Sequence, residues 1–187
     1  IRNNDLIVAT QGRAFWVLDD LSVLQQKDDN LVNKKLHVFN VNDSYRMDGY
    51  NDPHPVNAGA NPPMGAVFNY WLKDATDTSS VSITVFDKNN KVIKTFSKDA
   101  KDKGDQLTFA KGMNQFVWDM QYAPLEKTDG MILWNGTPSG PKVAPGKYKA
   151  RFRFDKDSTD VPFTILAVPN DKMTEKDYDD QVAFLLE

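Results

Sequence analysis

The decapeptide GKYKARFRFD (residues 146–155) decides how this chain folds. Tyr148, Ala150, Phe152 and Phe154 fall on one face, and Lys147, Lys149, Arg151 and Arg153 on the other. Such alternation has a period of two, the signature of a half-buried strand, whereas a helix would scatter the same residues around its axis. Working outward, VPFTILAV (161–168) follows at once, and VSITVFD (81–87) sets Val81, Ile83 and Val85 against Ser82, Thr84 and Phe86. DKNNK (87–91) reads as a hairpin loop before VIKTFS (92–97). QLTFA (106–110) precedes a Lys-Gly turn, MNQFVWDM (113–120) resumes a strand, and the aromatic run GAVFNYWLK (65–73) opens the set. About seven short strands separated by turn residues predict an all-β sandwich over residues 64–169.

The flanks read differently. ATQGRAFWVLDD (9–20), with Ile7 and Val8 before it, gives two apolar runs around a Gln-Gly-Arg turn, so residues 1–25 are expected to form a β-hairpin. Residues 26–63 are rich in Asn, Asp, Gly and Pro and read as an irregular linker packed on something larger, with LHVFNV (36–41) as one short strand within it. In residues 170–187, TEKDYDDQVAFLLE (174–187) begins with Thr174 and Asp177 in capping-box spacing, and Tyr178, Val182 and Leu185 or Leu186 then share a helical face. The first residue is Ile and the last pattern stops inside a helix, so the chain is expected to be a piece of a longer protein.

Composition narrows the function. A net charge of −3, with Lys and Arg always mixed with Asp as in KDAKDKGD (98–105), leaves no basic footprint for nucleic acid. No apolar run approaches the roughly 20 residues of a membrane span. Without cysteine there are no disulfides, thiolate metal sites or Cys nucleophiles.

Two sets of residues carry a resemblance. Gly112-Met113-Asn114 followed by Trp118-Asp119, and then Ala144-Pro145-Gly146-Lys147-Tyr148, resemble the bacterial Ig-like modules of flagellar hook-cap proteins and secreted enzymes. The stretch from Asp5 to Asp20 resembles the closing blade of a sortilin-type β-propeller with bacterial-neuraminidase (Asp-box) repeats, with Gln11 where that form often has His. Asn61-Pro62-Pro63 with Gly65-Ala66, and Ile132-Leu133-Trp134-Asn135-Gly136, also fit the Ig-like tail of such proteins. The resemblance implies an Ig-like or fibronectin-III-like sandwich, a bacterial, exported (periplasmic, surface or secreted) glycosyl-hydrolase-like parent, and an upstream propeller as the hairpin's partner.

Little in the chain suggests chemistry of its own. His37, in an apolar run, and His54, between two prolines, lack the spacing of a metal pair, and no nucleophile elbow, P-loop or Rossmann pattern occurs. Asp19 and Asp20 are adjacent on a strand end and point to opposite faces, unlike a glycosidase pair, and Asp119 is expected to cap a turn. Asp87 to Lys91 resembles a calcium loop only superficially, and Asp155, Asp157 and Asp160 sit in a hairpin loop where Asp favours turns for its own reasons. No catalytic, metal or cofactor residue is therefore assigned.

One binding platform stands out: Trp134 and Tyr122 flanking the long loop 122–146, with Asn135 beside them to pair with sugar hydroxyls. The structural alternative, which the reading favours, packs Trp134 on the sandwich edge or the propeller. Trp71 and Trp118 belong to strands and are expected in the core, their indole N–H groups needing acceptors. The leading expectation is a non-catalytic accessory module bracing a propeller. The alternatives are a carbohydrate-binding module, or a tail lending a loop to a parent glycosidase's cleft. The apolar hairpin is also a candidate edge for dimerisation.

Overall fold

The computed structural model describes residues 4–47, 63–124, 130–132, 134 and 139–187. Strands β1 (Leu6–Ala9) and β2 (Phe15–Leu18) form the N-terminal hairpin, and a short helix α1 (Ser22–Gln26) follows. The remaining strands are β3 (Leu36–Val38), β4 (Ser44–Tyr45), β5 (Ala66–Leu72), β6 (Val81–Phe86), β7 (Val92–Ser97), β8 (Gly112–Trp118), β9 (Gly146–Phe154) and β10 (Asp157–Leu166), and helix α2 (Glu175–Leu185) comes last. A sheet ordered β4-β10-β9-β6-β7 packs on one ordered β3-β5-β8, making the expected β-sandwich.

The alternation read from the sequence builds the core. Ala150, Phe152 and Phe154 of β9 turn inward with Val81, Ile83 and Val85 of β6 and Val161, Phe163 and Ile165 of β10. They meet Ala66, Phe68, Tyr70 and Leu72 from β5 of the other sheet. The longest ladder joins β9 to β10 in antiparallel register, from Asp157 opposite Phe154 to Ile165 opposite Gly146. Its tight turn puts Asp155 at φ 52°, in the left-handed region that Asp tolerates better than most residues.

Three expectations need correction. Residues 26–63 hold more than the one strand expected in LHVFNV: their described part supplies β3, which lies within that run, to one sheet and β4, paired parallel to β10, to the other. Backbone pairing with strands distant in sequence overrides a turn-rich composition there. QLTFA (106–110) is not a ladder strand; it makes one bridge, Ser97 to Gln106, and Leu107 is buried at 4% exposure. At its end the Asn114 side chain accepts from the Ala110 N–H at 2.7 Å and donates to the Ala110 and Gly112 carbonyls at 2.8 and 2.9 Å. Those backbone groups are satisfied by a side chain instead of a neighbouring strand. Finally, Trp118 is fully buried, its indole N–H donating to the Gln121 carbonyl at 3.2 Å, but Trp71 lies half-buried on the outer face of β5.

The motif residues behind the Ig-like resemblance have structural work. Asp119 accepts from the Gln121 N–H at 3.1 Å and closes the turn after β8. The Tyr148 hydroxyl donates to the Ala144 carbonyl, fastening the entry to β9. Gly65 has φ +142°, and a Cβ there would lie 2.2 Å from the Trp118 carbonyl oxygen. Backbone strain of this kind costs about 1–3 kcal/mol. Gly65→Ala should lower stability by that amount in a urea melt, and an unchanged midpoint would show that the approach of β5 to β8 is looser than described.

Helix α2 has the expected cap. Thr174 accepts from the Asp177 N–H while the Asp177 carboxylate accepts from the Thr174 N–H. Tyr178 and Val182 of the predicted face are buried against Ala144, with Tyr122 and Ala167 packed alongside, whereas Leu185 and Leu186 stay exposed. Among the described residues, no helix is long and apolar enough to cross a membrane.

Candidate functional site

The feature that stands apart from the sandwich is the hairpin. Its register sets Leu6 opposite Leu18, Ile7 opposite Val17, Val8 opposite Trp16 and Ala9 opposite Phe15. Because facing residues share a side and successive ones alternate, one face carries Leu6, Val8, Trp16 and Leu18. The other carries Ile7, Ala9, Phe15 and Val17. Both faces are apolar and both are open to solvent, from 38% exposure at Leu6 to 75% at Phe15. The turn is as expected: Gly12 and Ala14 adopt φ 83° and 61°, and Thr10 donates from its N–H and hydroxyl to the Ala14 carbonyl at 3.1 and 3.0 Å.

Polar contacts hold the hairpin by its base. The Leu21 N–H donates to the Asn4 carbonyl at 2.9 Å, and the Asp20 N–H to the Asp5 carboxylate at 3.1 Å. Asp20 in turn accepts from the Ser22 N–H at 3.1 Å and from the Asn42 side chain at 3.0 Å. The chain then passes into the sandwich, where the Asn40 N–H donates to the Gln26 side chain at 2.6 Å and the Phe39 N–H to the Asn69 carbonyl at 3.0 Å. The hairpin is thus a projection clamped at its root and bare along its length.

Burial alone would raise the Asp20 pKa, but hydrogen bonds from Ser22 and Asn42 outweigh it and hold the carboxyl below the ordinary aspartate value of 3.8. A folded pKa below the unfolded one means that the clamp is at full strength above pH 3.8 and is lost as pH falls through the folded value. Carboxyl-detected NMR should therefore find Asp20 titrating below 3.8, with the Ser22 amide shifting in step. A midpoint at or above that value would remove Asp20 from the clamp.

Two members of the sequence-derived platform, Tyr122 and Trp134, fall among the described residues. Tyr122 is half-buried and packs with the cluster beneath α2, where burial raises its hydroxyl pKa. Trp134 is 98% exposed and so does not pack on the sandwich edge; Met131 and Ile132 beside it are also exposed. Asn135 lies outside the described residues, as do His54 and, of the family-like motifs, Asn61, Pro62, Leu133 and Gly136. His37, on β3, sits half-buried with its ring edge-on to Phe39 at 4.8 Å. Burial lowers its pKa.

Three of the carboxylates considered for chemistry, Asp87, Asp155 and Asp160, are committed elsewhere. Asp87 accepts from the Asn89 and Lys91 N–H groups, both at 2.8 Å, which makes DKNNK an Asp-capped turn. Asp160 takes a two-pronged contact from Arg151 at 2.7 and 2.8 Å, and Asp155 accepts from the Ser80 N–H at 3.0 Å. The two-faced character of the hairpin was legible in the sequence. Its clamp was not, since Asn42 joins Asp20 from 22 residues away. No family model matches this chain, and no curated protein matches it.

Proposed function

We propose that this chain is a non-catalytic, Ig-like accessory module that braces a β-propeller of an exported bacterial protein. The observation carrying the reading is the hairpin whose two faces are both apolar and both bare. A sheet with one solvated face alternates apolar with polar; strands apolar on both faces belong in a sheet covered on both sides. Propeller blades meet that need, since each blade is packed between its neighbours around the central channel. The hairpin supplies two strands of such a blade, the clamp at Asp20 fixes its exit, and the sandwich sits against the propeller's end. A lone two-stranded hairpin is marginal in water, so the arrangement stabilises module and propeller together.

Hydrogen exchange tests this directly. Amides of Leu6–Ala9 and Phe15–Leu18 should exchange fast in this chain and become strongly protected in a polypeptide that also carries a propeller ahead of them. Equal exchange in both would end the reading.

The 98% exposure of Trp134 favours one further reading, a glycan platform on that loop. Tryptophan fluorescence titrated with soluble polysaccharides should then show a saturable shift that is absent in Trp134→Ala. A flat titration removes it.

A further inference from the structure

On the outer side of the β3-β5-β8 sheet lies an open cleft of about 430 Å³, within the range of small-molecule sites. Asn69 and Gln115 form its floor, Asp19, Asn40 and Asp43 contribute from its walls, and Tyr45 stands at the rim. We propose that this cleft binds a neutral sugar, a function separate from the brace and independent of it.

The floor is a matched pair of amides. The Gln115 side-chain N–H donates to the Asn69 side-chain oxygen at 3.1 Å, which holds both groups flat on the sheet. That bond leaves one Gln115 carbonyl oxygen and the Asn69 amino group for a ligand, an acceptor beside a donor. A hydroxyl both donates and accepts, so adjacent hydroxyls on a sugar ring fit this pair. Among the described residues, the side chains of Asp19, Asn40 and Asp43 make no hydrogen bond or ion pair, adding four carboxylate oxygens and another amide. Tyr45 is 47% exposed and offers an aromatic face for the C–H side of a ring.

The lining also excludes other classes. It contains no Lys, Arg or His, so phosphates and carboxylates find no counter-charge and meet like-charge repulsion. A metal fares no better: among the described residues, no three His, Cys, Asp or Glu side chains converge closely enough to hold one. Asp20, which also borders the cleft, has both oxygens occupied by Ser22 and Asn42. These exclusions leave uncharged and cationic organic ligands, and between them the amide pair with Tyr45 beside it favours an uncharged one, rich in hydroxyls and with one apolar face.

The test is a ¹H–¹⁵N NMR titration of the chain with cellobiose, maltose, xylobiose, mannobiose and galactobiose, and with n-butylammonium and inorganic phosphate as controls. Saturable shifts of the Asn69 and Gln115 side-chain amide signals with at least one disaccharide are expected. Gln115→Ala and Asp43→Ala, both at exposed positions, should each weaken that affinity by up to about tenfold, while Trp134→Ala leaves it unchanged. No saturable shift with any disaccharide overturns the proposal. So does binding of butylammonium alone, which would make the cleft an amine site, or binding lost only in Trp134→Ala, which would put the sugar on the loop. None of these outcomes depends on the hairpin's exchange behaviour, so the two readings fail separately.

Discussion

Phe68→Ala should remove about 3–5 kcal/mol of folding stability, the usual cost of truncating a large buried aromatic side chain. Phe68 is fully buried at the centre of β5, and its ring touches both halves of the sandwich. Phe116, its partner on β8 in the same sheet, lies 6.1 Å away between ring centroids. Across the interior, Phe163 of β10 is edge-on at 5.1 Å and Phe152 of β9 is tilted at 5.7 Å. Removing the ring therefore costs its transfer from water, a cavity between the sheets, and three aromatic contacts. Domains of this size are stable by only about 5–15 kcal/mol, so the variant should melt in much less urea, followed by the buried Trp118. Phe68→Leu keeps most of the volume and should lose less. A loss below about 1 kcal/mol for Phe68→Ala would mean that the sheets do not meet at this point.

What the sequence made legible follows from the range of the forces involved. The β9-β10 and β6-β7 hairpins and the capping box of α2 are set by residues close in the chain, and each formed where its pattern placed it. β3 formed within LHVFNV, where a strand was expected, but β4 was harder to see, because what makes it a strand is pairing with β10, and a two-residue run carries no periodicity of its own. QLTFA showed the opposite failure: a good strand pattern that makes a single bridge, with the backbone of Ala110 bonded to the Asn114 side chain. The cleft was less visible still, since Asp19, Asn40, Asp43, Asn69 and Gln115 are brought together only by the fold. The run FNVND (39–43) was its one local trace, a cluster of short polar side chains that also suits a turn.

The hairpin and α2 are the two elements lying outside the sandwich, and they are held in opposite ways. The hairpin is fixed at its root and exposes apolar residues on both faces, whereas α2 docks through the buried Tyr178 and Val182 and leaves Phe184, Leu185 and Leu186 exposed. An internal contact thus holds α2 in place, whereas the hairpin has none beyond its root among the described residues, which is what the proposed propeller contact would supply.

Tyr178→Ala should release α2 while leaving the sandwich standing. Only Tyr178 and Val182 are buried along the helix, at 1% and 7% exposure, and Tyr178 carries most of the docking. Its ring rests under the Arg46 guanidinium at 5.1 Å, and its hydroxyl donates to Asp171 at 2.5 Å. Arg46 then donates to the Val143 carbonyl and to Gln181, both at 2.9 Å, so one aromatic ring organises three elements. The ion pair of Lys88 with Asp179 at 2.8 Å is exposed and adds little. An isolated helix of 11 residues is marginal in water, so α2 exists because it is docked. Losing the ring should cost about 3–5 kcal/mol locally, more than a hundredfold in the opening equilibrium. Amide exchange over residues 178–186 should accelerate by at least that factor, up to the unprotected rate, with the urea midpoint of the sandwich little changed. Tyr178→Phe, which loses only the bond to Asp171, should keep the helix in place. If Tyr178→Ala instead melts helix and sandwich together, α2 is an integral strut of the core, and the helix and the sandwich form one cooperative unit.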